Sequence, residues 1–333
     1  MEYLTSPTII DKGFAMSNFL QKVNKEEIIA EIMQGFNAEQ KYISSRYFYD
    51  SRGSELFEEI TGLTEYYPTR TEGAILQEIA PSLVPLLKNI DIIELGSGDC
   101  SKISILLNTI PSDQLTSVRY IPVDVSESAI KKSVTTLLLQ LPGLSIYGLL
   151  ADFMKHLHLI NASKSRLICF FGSTLGNLTR KEACLFLLQV ESLMKSGDRL
   201  LLGLDMVKDT QILHDAYNDK RGITAAFNKN ILHNVNRYIQ TNFNPDYFDH
   251  LAYYNSKYDR IEMHLKAQID MEIYSTLLDC TIRIKKGETI QTENSHKYTQ
   301  QHIIDFSILT GLDIDTVYSD KQKWFSIVHF RKP

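Results

Sequence analysis

Cysteine is scarce and scattered. The 333 residues hold four, Cys100, Cys169, Cys184 and Cys280, with no close pair and no Cys-x-x-Cys. That spacing gives no disulfide framework, and a reduced, intracellular chain is expected. Cys169 and Cys184 lie in apolar stretches, where cysteine serves as a small hydrophobe. No run approaches the roughly twenty apolar residues needed to cross a bilayer. A secretory signal is not seen either: in place of a basic start and an apolar run stand Glu2, Ser6-Pro7 and Asp11-Lys12. A soluble, cytoplasmic protein without membrane contact is expected.

Charge of one sign is not in excess. Forty acidic against 35 basic residues leave a formal charge of −5, which offers no general attraction to phosphate backbones. No nucleic-acid partner is expected, and Lys285-Lys286 and Arg331-Lys332 read as solvated chain. The nine histidines form no His-Glu-x-x-His or comparable spacing, so no metal is expected. Internal repeats and low-complexity linkers are missing. What remains, 44% hydrophobic and 23% charged residues, suits a globular enzyme with one large domain or two moderate ones.

Between residues 90 and 206, five short runs rich in Ile, Leu and Val alternate with helical patterns. The runs cover 90–95, 118–125, 144–151, 166–171 and 198–205. They show little polar alternation, as strands buried on both faces should. Helices are expected over 101–108, after an N-cap at Ser126 through Gln140, and after Thr179, where Glu182 completes a capping-box pattern. Strand–helix repetition of this kind predicts an α/β fold with an open parallel sheet. The flanks differ. Residues 26–34 look helical, an irregular aromatic stretch follows through Tyr67, and 207–297 mixes helical patterns with a strand-like IEMHL at 261–265 and a turn at Lys286-Gly287. Residues 316–330 are strand-like again and could rejoin the sheet.

The first strand ends in Glu94-Leu95-Gly96-Ser97-Gly98. Ligands of open parallel sheets bind just beyond the strands' carboxyl ends, and glycine there lets a ligand approach the backbone. A dinucleotide site would want a third glycine where Ser101 stands, and a phosphate loop would need Gly-Lys-Ser/Thr. Neither is present, which leaves an adenosyl ligand without phosphates. That reading calls for an acid after strand two to meet ribose hydroxyls, and Asp124 is there. It calls for a polar group after strand three near adenine, and Asp152-Phe153 is there. Either aspartate could equally be a helix cap. After strand four comes Gly172-Ser173-Thr174-Leu175-Gly176-Asn177. The Asn177 carbonyl could accept an amine N–H, or the residue could simply belong to a helix-entry turn.

These blocks carry a resemblance. FFGSTLGNL, with ELGSG, YYPTRTE (66–72), LGLDMVKD (202–209), AYND (216–219), GITAAFNKNIL (222–232), IEMHL and TENSHK (292–297), resembles the histidine-specific, S-adenosylmethionine-dependent methyltransferase family, the L-histidine Nα-methyltransferases of ergothioneine biosynthesis. The likeness runs from about residue 47 to the C-terminus. It implies a Rossmann-like class I methyltransferase domain over 71–206 plus 298–333. A substrate-binding lobe would comprise 1–70 plus 207–297. It implies S-adenosylmethionine as methyl donor against Gly96, Lys102, Asp124, Asp152 and Phe153. The amino acid's polar end would meet Tyr66, Asn177 and Tyr217, with Tyr49 beside the reacting amine. The ring would meet Glu293 and Ser295, with Met263 packed alongside. The loop Asp99-Cys100-Ser101-Lys102 departs from the family's frequent Thr-Ser-Glu-Lys but keeps the lysine.

The implied reaction is threefold Nα-methylation of L-histidine to hercynine by a monomer acting on a small molecule. An imidazole N–H suits a carboxylate such as Glu293, and Ser295 shares its side of an extended chain. Glu293 and Ser295 could otherwise be exposed polar residues after the Gly287 turn. An indole amino acid or another amine as substrate, or a non-catalytic adenosylmethionine sensor, are the competing readings.

Overall fold

Consecutive residues of each central strand serve different cores, which is why the five apolar runs show so little polar alternation. Ile92 packs on one face of the sheet and Ile93 on the other; Leu201 and its neighbours Leu200 and Leu202 divide in the same way. The computed structural model describes residues 8–11, 13–20 and 25–333. In chain order these form β1 (Thr8–Asp11), β2 (Phe14–Asn18), α1 (Lys25–Asn37), α2 (Ser51–Thr61), α3 (Tyr67–Leu83), β3 (Ile90–Leu95) and α4 (Ser101–Leu107). Next come β4 (Arg119–Asp124), α5 (Glu127–Gln140), β5 (Ser145–Leu150), α6 (Phe153–His156), β6 (Ser165–Phe170), α7 (Arg180–Leu193) and β7 (Arg199–Asp205). The remainder is α8 (Thr210–Tyr217), α9 (Ile223–Ile239), β8 (Phe248–Asn255), β9 (Arg260–Ala267), β10 (Met271–Ser275), β11 (Cys280–Ile284), β12 (Thr289–His296), α10 (Gln300–Thr310), β13 (Asp313–Ser319) and β14 (Phe325–Arg331).

The large sheet has the order β1-β2-β5-β4-β3-β6-β7-β14-β13. From β2 to β7 all neighbours are parallel; β1 and β14 run antiparallel to theirs. The fold is therefore α/β with a central parallel sheet, and its five expected strands lie within a residue of their expected ends. Helices α3, α4 and α5 cover one face, α7 and α10 the other. Their starts follow the local chemistry. Ser126 accepts from the Ala129 amide, and Thr179 and Glu182 close a reciprocal capping box, a pairing that stabilises a helix start by about 1 kcal/mol.

A third core is separate from the sheet. It joins α1, α2, α8 and α9 to the three-stranded sheet β12-β9-β8 and the hairpin β10-β11, through Phe48, Phe227, Leu232, Phe248, Met263 and Ile290. The lobe boundaries expected from the sequence need correction at the front. Residues 14–18 form β2, which pairs with β5 and so belongs to the large sheet, and the expected break at 70/71 falls inside the continuous helix α3. A strand cannot leave its ladder without stranding its backbone polar groups, so these segments stay with the sheet. Residues 1–7, 12 and 21–24 of the expected substrate lobe, and most of the segment read for a secretory signal, lie outside the described residues. The strand-like stretch 316–330 is two strands joined by a turn, β13 and β14, with β14 inserted between β7 and β13. No described helix is long and apolar enough to cross a membrane.

β3 is the switch point of the sheet, with β4 on one side and β6 on the other. A crevice at its carboxyl end follows from topology alone.

Candidate active site

The chain leaves β3 through a turn that ordinary residues resist. Gly96 has φ +71° and Gly98 φ +51°, and even Cys100 adopts φ +57°. Left-handed backbone at a non-glycine residue costs energy and collects at working sites. A Cβ added at Gly96 would meet only the Phe153 ring, at 3.6 Å. Phe153 is itself held edge-on by Phe170 and Phe186, with centroids 5.4 and 5.8 Å away. The result is a slot with a bare backbone on one side and an aromatic wall on the other.

Two acids stand at its mouth. Asp124 accepts from the Gly98 and Ser126 amides, both at 2.9 Å, so it shapes the glycine loop. Burial outweighs those bonds and raises its carboxyl above the ordinary value. Asp152 caps α6 by accepting from the Met154 amide at 2.9 Å. Asp152 is a helix cap and Asp124 a tie between loops, yet each carboxylate keeps lone pairs for a ligand. The Ser97 hydroxyl in the same loop is buried and has no partner among the described residues. An orphaned hydroxyl, an open glycine and an aromatic wall fit an adenosyl group.

Lys102 is placed otherwise than a free cofactor ligand. Its Nζ lies 2.6 Å from the carboxylate of Glu72, which is fully buried. Glu72 also accepts from the Gly172 amide at 2.9 Å. The pair thus ties α4 to the loop after β6 through α3. A buried carboxylate without such partners would cost several kcal/mol. Glu72 was not singled out from the sequence, although it ends the YYPTRTE block; its partners lie too far along the chain to be read from spacing.

In the loop after β6, Ser173 adopts φ +54°, held by its hydroxyl accepting from the Asp205 amide at 2.9 Å. Gly176 lies against β12, where a Cβ would come within 2.8 Å of the His296 carbonyl oxygen. Asn177 follows, half-buried, and its side-chain amide makes no hydrogen bond among the described residues.

Across the crevice stand the lobe residues. Tyr66 and Tyr217 meet edge to face with centroids 6.2 Å apart, and Tyr49 packs edge-on against Phe57 and Phe227. Glu293 and Met263 are cross-strand partners in β12 and β9, just past a bulge between Gln291 and Glu293. Glu293 and Ser295 therefore share a face, and Ser295 accepts from the Tyr217 hydroxyl at 2.7 Å. The Glu293 carboxyl has no hydrogen-bond partner among the described residues and is raised by burial to about 7, with Lys297 pulling it back down. Tyr49 keeps 44% of its surface open. Even so, burial and the fields of Glu293, Tyr217 and Asp124 raise its pKa. Three distant segments thus act on one partly open ring. Burial and the same neighbours also raise Tyr66 and Tyr217. All three hydroxyls keep their protons at neutral pH.

Behind this wall lies a polar network that sequence reading missed. Lys297, with no exposed side-chain surface, pairs with Asp205 at 2.8 Å and reaches Ser295 Oγ at 2.7 Å and Tyr217 Oη at 3.3 Å. Asp205 also accepts from Tyr67 at 2.8 Å and pairs with Lys208. Burial alone would raise the Asp205 carboxyl, and the two ammoniums hold it below the usual range. Lys208 is pushed down to about 8 by burial against the pull of Asp205. A charge ending an all-apolar strand, Asp205, and a lysine two residues beyond Ser295 were the available signals. A separate cavity of about 600 Å³ between α2 and α9, lined by Asp50, Arg52, Lys229, Asn230, His233 and Arg237 among others, includes none of the candidate residues. The described residues hold no cluster of His, Cys, Asp or Glu able to bind a metal.

Among known proteins, residues 28–332 match the family described as histidine-specific methyltransferase, SAM-dependent. The chain is 37% identical over 291 residues to the histidine N-alpha-methyltransferase of Mycolicibacterium smegmatis, covering 87% of this chain and 90% of that one. It is 34% identical over 201 residues to ergothioneine biosynthesis protein 1 of Neurospora crassa, covering 57% of this chain and 22% of that longer protein. The solved structure of the mitomycin 7-O-methyltransferase MmcR shares the fold, with a TM-score of 0.51, 11% identity, and coverage of 92% of this chain and 67% of that one.

Proposed function

Because the chain belongs to the histidine-specific, S-adenosylmethionine-dependent methyltransferase family, we propose that it trimethylates the α-amino nitrogen of L-histidine to hercynine, as a step of ergothioneine biosynthesis. It acts as a cytoplasmic monomer without a metal ion. What supports this reading is that Tyr49, Tyr66, Tyr217 and the unpartnered Glu293 lie close enough to act on one another's ionisation, with Asp124 also acting on Tyr49.

S-adenosylmethionine supplies an electrophilic methyl on its sulfonium, so neither a Lewis acid nor a covalent intermediate is required. Gly96, Asp124, Asp152 and Phe153 would hold it, with Lys102 fixing the loop through Glu72. What remains for the chain is positioning, which in a well-oriented reaction is worth about 7–11 kcal/mol. Asn177 offers a carbonyl to an amine N–H, and Tyr49 a hydroxyl. The three tyrosines retain their protons, so they orient the nitrogen without acting as bases. Such contacts are replaceable, which suits an amine that loses an N–H with each methyl gained. The ring contacts do not change between rounds. Glu293 accepts an imidazole N–H, Ser295 meets the ring from the same face, and Met263 packs beside it. Helices α1, α2, α8 and α9 with strands β8 to β12 would form the substrate lobe.

Incubation of the purified protein with L-histidine and S-adenosylmethionine, followed by mass spectrometry, tests this. A species heavier by three methyl groups is expected. A product that stops at one methyl refutes trimethylation, and no mass gain refutes the assignment as a whole.

A further inference from the structure

Glu293, Ser295 and Lys297 occupy alternate positions, so one face of the extended chain carries all three. The Lys297 ammonium sets the polarity of the bonds around it. Lys297 Nζ can only donate, and its acceptors are Asp205 Oδ2 at 2.8 Å, Ser295 Oγ at 2.7 Å and Tyr217 Oη at 3.3 Å. Tyr217 in turn donates to Ser295 Oγ at 2.7 Å. A hydroxyl has two acceptor lone pairs and one proton. Both lone pairs of Ser295 are therefore filled from behind the pocket wall, and only its proton is left to offer.

We propose that Lys297, anchored by Asp205, is a specificity-determining positioning residue that commits Ser295 to donate into the ring pocket. With Glu293 beside it as acceptor, the pocket then presents one acceptor and one donor. That pair matches a neutral five-membered ring bearing one N–H and one bare nitrogen. A ring with an N–H and no bare nitrogen leaves the Ser295 proton without a partner. Leaving such a buried group unpaired is expected to cost roughly tenfold or more in binding. The inference rests on the proposed histidine reading and goes beyond it, because it assigns the ring's protonation state and names residues that do not touch the substrate.

The test uses the intact protein with S-adenosylhomocysteine and calorimetric titration of histidine and of its 2-pyrrolyl and 3-pyrrolyl analogues, each with one N–H and no ring acceptor. Wild type should favour histidine over the better analogue by roughly tenfold or more. In Ser295→Ala that ratio should fall to within about threefold. In Lys297→Met it should fall in the same direction, because Ser295 regains a lone pair and can turn its proton inward. Should Lys297→Met fail to bind S-adenosylhomocysteine, the triple variant Lys297→Met/Asp205→Asn/Lys208→Met, which removes the three buried charges together, is scored in its place. A wild-type ratio retained in a Lys297 variant that binds S-adenosylhomocysteine, or in Ser295→Ala, overturns the proposal. Failure of the wild type to bind histidine at all would instead remove the reading beneath it.

Discussion

Replacing Glu293 by glutamine separates what this residue costs the fold from what it contributes to the substrate. The carboxyl is raised from 4.5 to about 7 by burial, with Lys297 only partly offsetting it. At about 1.36 kcal/mol per pH unit, the ionised form then costs the ligand-free protein ~3 kcal/mol at neutral pH. Partial water access at Glu293 trims this to about 2 kcal/mol. The sign follows from proton binding. Below pH 4.5 both folded and unfolded chains hold the proton and the cost vanishes. Between 4.5 and about 7 only the folded chain holds it, so stability falls as pH rises, and above that range it is level. Glutamine mimics the protonated acid and does not titrate. In urea denaturation without ligand, Glu293→Gln should match wild type near pH 4.5 and exceed it by about 2 kcal/mol at pH 8. Glu94, raised to about 8, titrates in both proteins and cancels in the difference. With both proteins already saturated with S-adenosylhomocysteine, added histidine should stabilise the wild type at pH 8 and leave the variant unchanged. A gap independent of pH, or a variant weaker at pH 8, would refute the account of Glu293 as a desolvated, waiting acceptor.

Two further substitutions probe the scaffold. Gly203→Ala would place a Cβ 2.1 Å from a Glu72 carboxylate oxygen; the displaced acid should cost about 1–3 kcal/mol and raise the KM for S-adenosylmethionine several-fold, and an unchanged KM would detach Glu72 and Lys102 from the cofactor loop. Thr179→Ala removes the capping box of α7 and should lower stability by about 1 kcal/mol with kcat/KM intact, measured by thermal melting and steady-state kinetics.

How far the chain could be read in advance depended on the range of the interaction. Strands β3 to β7 and the caps at Ser126 and Thr179 were legible because composition and three-residue spacing are local signals. The hairpin β1–β2 was not, because its runs are short and gain their meaning only from the edge of β5. The insertion of β14 beside β7 was equally hidden, since a strand's sequence does not name its neighbour. The same holds in the site. Gly96, Asp124 and Asp152 stand at strand ends and could be reasoned from topology. Tyr49, Tyr66, Tyr217, Met263, Glu293 and Ser295 came only from a likeness of motifs. Glu72, Asp205 and Lys297 escaped because each is defined by a partner from another segment.

The division of labour within the site follows from where its parts are built. The residues proposed to read the ring stand on β12, a strand locked to β9 by seven paired positions and fixed from behind by the Lys297–Asp205 pair. The groups proposed to face the amine, Asn177 and Tyr49, end short single-turn helices at 174–177 and 45–48. A site that must hold one end of its ligand while the other end changes shape needs rigidity and tolerance side by side. The two meet at Gly176, whose missing side chain lets the amine loop lie directly on the His296 backbone. A methyl group there would push the loop from the strand, altering the distance between amine and ring contacts without touching a residue of either.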